Sequence, residues 1–244
     1  MKRKNIQLDL KSCETLAIPP DQDENSCAYF LIRKCPRLKA VHLAEYGVFR
    51  AWGMGASRVM LGFSPQAGAP GFHAKNYGEL KLRYTHSMLL MKKKLELTPA
   101  AYETAVRIKP IEQTEIPAYM RIYRETFFAV PNAACDSEEQ IRRLLREQNY
   151  DVCLLRCGKN PCGICEYRIS PQKEAFLEAL GVLPQFRRQN LARGALHNLY
   201  YLFQAEGVKR VCLYVSSANL PALRLYKSEG FTVEKAVSHW FEAL

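Results

Sequence analysis

The residues richest in chemical possibility lie between Val182 and Leu196: Val182-Leu-Pro-Gln-Phe-Arg187-Arg188-Gln189-Asn190-Leu191-Ala192-Arg193-Gly-Ala-Leu196. An apolar, strand-like stretch ends in a short polar and basic loop, and an amphipathic helix is expected to begin at once. Such a junction gathers unpaired backbone N–H groups and the positive end of a helix dipole at one point, which suits phosphate. Arg187, Arg188 and Arg193 add positive charge around it. An ordinary strand-to-helix connection carrying surface arginines is the plainer reading of the same residues.

The elements that would position this loop follow from periodicity. Residues 105–108 are expected to be extended. Residues 115–128 carry Ile116, Met120, Tyr123 and Phe127 at helical spacing, and Asp136 with Glu139 reads as a capping box opening a second helix with Ile141, Leu144 and Leu145 inward. Residues 151–156 and 163–170 read as strands around a Gly-Lys-Asn-Pro turn, and 175–182 as a third strand. Leu191, Ala195, Leu199 and Leu202 mark one face of a helix over 191–206. A strand over 209–215, a short helix over 221–229 ended by Gly230, and a strand over 232–241 complete the series.

Within this frame the chain resembles the GNAT superfamily of acyl-CoA-dependent N-acyltransferases. That family has a Val-x-Pro turn followed by Arg/Gln-x-x-Gly-x-Gly/Ala, matched here by Val182, Pro184, Arg187, Asn190 and Ala192, with Asn190 in place of the usual first Gly. Asn tolerates left-handed backbone geometry better than most residues. A second match is Asn219-Leu-Pro-Ala-Leu-Arg-Leu-Tyr226-Lys-Ser-Glu-Gly230-Phe231, similar to the family's Asn-x-x-Ala-x-x-x-Tyr-x-x-x-Gly-Phe signature.

The resemblance implies a mixed, mostly antiparallel α/β sheet of the GNAT fold over residues 105–244, and acetyl-CoA as the acyl donor in a V-shaped gap beyond Val182 and Val215. Leu180, Gly181 and Val182 would pair with the pantetheine arm. Arg187, Arg188, Gln189, Asn190, Leu191, Ala192 and Arg193 would surround the pyrophosphate. Asn219 would contact pantetheine, and Tyr226 would protonate the departing thiolate. Glu178 is the candidate base, acting through water, with Glu166 as runner-up. The plainer readings are a packed core tyrosine for Tyr226, a helix cap for Asn219 and a solvent-facing strand carboxylate for Glu178. The acceptor implied is a primary amine on a small molecule, peptide or protein. A non-catalytic acyl-CoA-binding or scaffold protein keeping the fold is the alternative.

Residues 1–104 contain an echo of the second half. Gly55-Ala-Ser-Arg58-Val-Met-Leu-Gly-Phe-Ser64 aligns with Gly207-Val-Lys-Arg210-Val-Cys-Leu-Tyr-Val-Ser216 at a constant offset of 152, with Gly, Arg, Val, Leu and Ser identical. Strands near 6–10, 28–33 and 83–91 and a helix over 37–52 are expected, with a loop at 19–26. The expectation is a degenerate, smaller GNAT-like module at 1–104 that does not bind acyl-CoA, joined by a linker at 95–102 to the complete module at 105–244.

The 244 residues carry a formal charge of +11, with 16 basic and 9 acidic side chains in residues 1–104. A basic surface suits a polyanion such as coenzyme A, and equally suits plain solubility. No nucleic-acid motif accompanies the run Lys92-Lys93-Lys94, so no nucleic-acid partner is expected; a homodimer is left open. No apolar run reaches the length of a membrane span, and MKRKNIQLDL lacks the apolar core of a signal peptide. The expectation is therefore a soluble cytoplasmic protein. Nine cysteines, an odd number, are expected as free thiols. The cluster Cys153, Cys157, Cys162 and Cys165 lies on two adjoining strands, and no metal site is expected.

Overall fold

The computed structural model describes residues 9–10, 13–18, 26–95, 104–127 and 137–244. In chain order the elements are β1 (Asp9–Leu10), β2 (Cys13–Ile18), β3 (Cys27–Lys34), α1 (Arg37–Gly53), β4 (Arg58–Phe63), β5 (Asn76–Tyr77), β6 (Leu80–Lys94), β7 (Val106–Pro110), α2 (Ile116–Phe127), α3 (Glu138–Leu144), β8 (Tyr150–Cys157), β9 (Asn160–Ile169), β10 (Glu174–Val182), α4 (Leu191–Ala205), β11 (Arg210–Ser216), α5 (Leu220–Ser228) and β12 (Thr232–Ala243). The chain divides into two compact units. The first comprises Met1–Leu89, Ser216–Ala218 and Lys235–Leu244; the second comprises Leu90–Val215 and Asn219–Glu234. The expected boundary between residues 104 and 105 thus falls inside the second unit, and the linker expected at 95–102 lies, apart from Leu95, outside the described residues.

In the first unit the strands run β1-β2-β3-β4-β12-β6, with β3 and β4 parallel and β12 antiparallel to β4. Phe30, Ile32, Leu61, Phe63 and Phe241 form its core with Ala40, Leu43, Ala44 and Val48 of α1. The hairpin strand β2 carried no clear sequence signal. Much of the loop expected at 19–26 lies outside the described residues, as does the start of the strand expected near 6–10.

In the second unit the order is β6-β11-β10-β9-β8-β7, mixed because β10 and β11 are parallel while β7 to β10 pair antiparallel. α2 and α3 cover one face through Ile116, Tyr119, Ile122 and Ile141 against Val152, Leu154 and Ile164. On the other face Phe203 of α4 meets Tyr167 edge-on at 5.2 Å. Burial on both faces fits the stretch 152–155 of β8, which is apolar at every position rather than alternating.

Two sequence expectations shift. The buried stripe of α2 is Ile116, Tyr119, Ile122 and Thr126, while Met120, Tyr123 and Phe127 are only partly covered. The helix carries two adjacent apolar stripes, and its contact with β9 and β10 selects the more continuous one. The capping box of α3 is formed by Ser137, which accepts from Gln140 N, with Gln140 reaching back; Asp136 lies outside the described residues.

The 152-residue offset also carries structure. It maps the start of β4 onto that of β11 and the start of β6 onto that of β12. Gly55 (φ 87) falls on Gly207 (φ 73), and Gly78 (φ 63) on Gly230 (φ 84). Residues 68–76, which would correspond to α5, form no helix. No helix among the described residues is long and apolar enough to cross a membrane.

Candidate active site

A gap opens in the second unit where β10 and β11 part. Glu174 to Leu177 pair in register with Arg210 to Leu213, and the pairing stops there. β10 stays bonded to β9 as far as Val182, opposite Gly163. The register shift between Leu177 and Ala179 makes Glu178 the extra residue of a bulge. A bulge bends its strand and increases local twist, which turns the end of β10 away from β11. The edge from Ala179 to Val182 is left with backbone groups free to pair with something else.

Gly181 is where this edge meets α2. A Cβ on Gly181 would lie 2.1 Å from Thr126 Cγ2 and 3.0 Å from the Phe127 ring. The last turn of α2 therefore packs directly on strand backbone, and only a hydrogen fits between them.

Beyond Val182 the chain turns through Pro184–Phe186, a short 3₁₀ segment, and enters α4. Arg188 (φ 65) and Asn190 (φ 58) are both left-handed. Such turns direct successive N–H groups inward, forming an anion-binding concavity. The first helical bond is Gly194 N to Asn190 O at 2.9 Å, so the amides of Leu191, Ala192 and Arg193 precede the ladder and point out of the helix end. The Asn190 side chain makes no cap bond.

The three arginines have different tasks. Arg187 donates from Nε to Val182 O at 3.1 Å and from Nη2 to Thr126 O at 3.2 Å. Arg193 donates to Ser228 Oγ at 2.9 Å and pairs with Glu229 at 2.8 Å, and His197 meets the same carboxylate at 3.1 Å. Arg188 is exposed and has no side-chain partner among the described residues.

Asn219 caps α5, its Oδ1 accepting from Ala222 N at 3.3 Å. About two turns later Tyr226 is buried, edge-on to Phe231 at 5.6 Å. Burial pushes its hydroxyl pKa up to about 12.

A pocket of about 540 Å³ brings these parts together. Of the residues expected from sequence it is lined by Leu180, Gly181, Val182, Arg187, Arg188, Asn190, Leu191, Ala192, Arg193, Asn219 and Tyr226. Gln189 and Glu178 do not line it. Glu178 accepts from Arg168 Nε at 2.6 Å, and that guanidinium lies 4.3 Å over the Phe176 ring. Glu166 is buried and accepts from the hydroxyls of Tyr119 and of Tyr150, the latter at 2.5 Å. Neither carboxylate is in the wall, and among the described residues no Asp, Glu or His lines it.

Sequence reading missed Thr126, Phe127, Phe186, Pro221, Ala222 and Leu225 as lining residues. Phe127 lay on the apolar stripe expected for α2, but nothing in that stripe said the helix would end against Gly181.

Residues 116–231 match the model of the family described as acetyltransferase (GNAT). A curated relative, the uncharacterized N-acetyltransferase YdgE of Bacillus subtilis (strain 168), is 35% identical over 65 residues, 27% of this chain and 41% of that protein. The match thus spans less than half of that relative's length. Among solved structures, a functionally unknown conserved protein from Staphylococcus epidermidis ATCC 12228 superposes with a TM-score of 0.64 at 15% identity, covering 100% of this chain and 95% of the other. A GCN5-related N-acetyltransferase from Sphaerobacter thermophilus gives 0.61 at 15% identity, covering 93% and 76%. These two likenesses concern the fold.

Proposed function

Residues 116–231 being a domain of the acetyltransferase (GNAT) family, we propose that the chain transfers an acetyl group from acetyl-CoA to a primary amine by direct attack in a ternary complex. The observation that carries this reading is the single pocket whose wall holds both the outward-pointing amides at the start of α4 and the Tyr226 side chain. Its volume is that of a small-molecule site.

The residues fit coenzyme A in sequence along the pocket. The Leu191, Ala192 and Arg193 amides, with Arg188, would hold the pyrophosphate. The free edge of β10 at Leu180 to Val182 would pair with the pantetheine amides, as an added strand does. A β10 N–H would then be placed to polarise the thioester oxygen. Acetyl-CoA supplies the acyl group as a thioester. Tyr226, with its pKa held at about 12, keeps its proton at neutral pH and would give it to the departing sulfur. Alignment of the two reactants in one cleft contributes the largest share, in favourable cases roughly 7–11 kcal/mol. With Glu178 paired to Arg168 and Glu166 held by two tyrosines, we assign removal of the amine proton to water.

Among the described residues the wall holds no acidic side chain or histidine, which equally suits the second reading, a non-catalytic acyl-CoA binder. Thiol release from acetyl-CoA with a panel of amines decides between them. Turnover that falls by 10²-fold or more in Tyr226→Phe supports transfer; tight binding with no turnover for any amine supports the binder.

We further infer that residues 1–104 are a partial, divergent copy of the module at 105–244 that has lost its phosphate loop. Only Cys35 and Pro36 separate β3 from α1, against the eight residues 183–190 between β10 and α4, so no room remains for an anion-binding turn.

A further inference from the structure

We propose that Cys13 and Cys35 are a disulfide-forming pair, a covalent modification site in the first unit. The two sulfurs lie 3.0 Å apart, closer than two thiols in ordinary van der Waals contact. They are about 1 Å further apart than bonded sulfurs, at about 2.0 Å.

The sheet produces this closeness. Glu14 pairs with Lys34 in the β2–β3 ladder, so Cys13 and Cys35 are the next partners outward, facing one another where the ladder ends. The register shift between Glu14 and Thr15 twists the strand at that point. Pro36 and then α1 follow at once, so Cys35 is held on a short, stiff connection. Ring closure would link β2 to the entry of α1 around residues 14–34.

The chemistry balances with a peroxide as the oxidant. A Cys13 thiolate attacks hydrogen peroxide, forming a sulfenic acid and releasing hydroxide, which takes up the thiol proton as water. Cys35 sulfur then attacks the Cys13 sulfur and displaces the hydroxyl, which leaves as water with the second thiol proton. Two thiols and one peroxide thus become one disulfide and two waters. Either cysteine fits the first role. Burial and the contact with Cys13 raise the Cys35 pKa to about 12, so the reaction is slow at neutral pH and speeds up as pH rises.

The other cross-strand pair, Cys153 opposite Cys165, is fully buried in the second unit. It serves as an internal control, because an oxidant has no access to it without unfolding.

The test uses the full chain in a Cys27→Ser background, because trypsin leaves Cys13 and Cys27 together on residues 12–33 while Cys35 falls on residues 35–37. Native protein is treated with hydrogen peroxide, then denatured, alkylated, digested and weighed without reduction. The expected product is residues 12–33 joined to 35–37, about 2 Da lighter than the two free peptides, with Cys153 and Cys165 alkylated. The oxidised protein should melt roughly 5–10 °C above the reduced one, since the link restricts the unfolded chain. Cys13→Ser and Cys35→Ala should each abolish both the cross-link and the redox dependence of melting. Alkylation of both cysteines after exposure of the folded protein to peroxide, or a cross-link to any other cysteine, would overturn the proposal.

Discussion

The guanidinium of Arg187 donates to the carbonyl oxygen of Thr126, 61 residues earlier in the chain, at 3.2 Å. With its second bond to Val182 O, it ties the last turn of α2 to the end of β10. Arg187 stands at the arginine position of the loop that resembles the GNAT phosphate loop, yet its Nε and one Nη2 donor are taken by backbone carbonyls. Both arginines are exposed and line the pocket, but Arg188 makes no side-chain hydrogen bond or ion pair among the described residues.

Arg187→Gln and Arg188→Gln should therefore differ in kind. Loss of Arg187 removes two charge-assisted bonds to partly buried carbonyls, which costs about 1.5–3 kcal/mol of stability. On the proposed reading, loss of Arg188 removes a solvent-exposed phosphate contact worth about 1 kcal/mol, or roughly fivefold in coenzyme A affinity. Titration calorimetry at two salt concentrations, with urea melts, reads both. Arg188→Gln should bind with a shallower salt dependence; Arg187→Gln should keep the wild-type one. Equal loss of affinity in the two variants at unchanged stability would show that Arg187 is a phosphate ligand after all.

Tyr226 sets the alkaline behaviour. Its folded pKa of about 12 lies above the unfolded value near 10. The folded state therefore keeps a proton that the unfolded state gives up. The stability linked to this group is intact below pH 10 and is lost as pH rises from 10 through 12, by at most about 2–3 kcal/mol. No alkaline fall in turnover below pH 10 should come from this residue. Tyr226→Phe should reduce turnover by roughly 10²–10³ at pH 7.5 while flattening the alkaline stability loss. A stability profile above pH 10 unchanged by the substitution would contradict the shift.

Glu178 illustrates how far a sequence can lead and where it stops. Its position four residues before Val182 was legible, as were the order of strands and helices, the loop and the Asn219 to Tyr226 spacing, because each rests on local periodicity or a contiguous motif. The bulge that displaces Glu178 was not, since it arises from the register between β9 and β10. The capture of Glu178 by Arg168 depends on the same pairing. Asn190 went the other way: its left-handed φ of 58 agrees with what the motif and the residue type together suggested, because Asn tolerates that geometry where the resembled family has glycine. Long-range packing, such as α2 ending on Gly181, leaves no mark in a single stretch of chain.

A carboxylate that acts as general base contributes roughly 10²–10⁴ to the rate. Glu178 is instead an ion-paired strand residue outside the pocket wall, so Glu178→Gln should change turnover by less than about threefold. Its stability cost should stay below about 1 kcal/mol, as for exposed ion pairs generally. Steady-state rates across pH 6–9 make the comparison. A 100-fold loss that steepens towards low pH would instead assign the base to Glu178.

Gly181 and Thr126 should behave as a coupled pair. An added Cβ at 181 meets Thr126 Cγ2 at 2.1 Å, a distance no real Cβ tolerates, so Gly181→Ala must push the end of α2 off β10. Overpacking of this kind costs about 1–3 kcal/mol. It also moves Thr126 O away from Arg187 and distorts the strand edge that, on the proposed reading, pairs with pantetheine, so coenzyme A affinity should fall about tenfold. Thr126→Ser deletes the offending methyl and keeps the backbone carbonyl. Alone it should change affinity by less than twofold, and combined with Gly181→Ala it should restore most of the loss. The double-mutant cycle should therefore show a coupling of about 1 kcal/mol or more, in stability and in binding alike. Simple additivity would mean that the helix end and the strand edge do not touch in solution, and the pocket wall would then have to be formed by something other than α2.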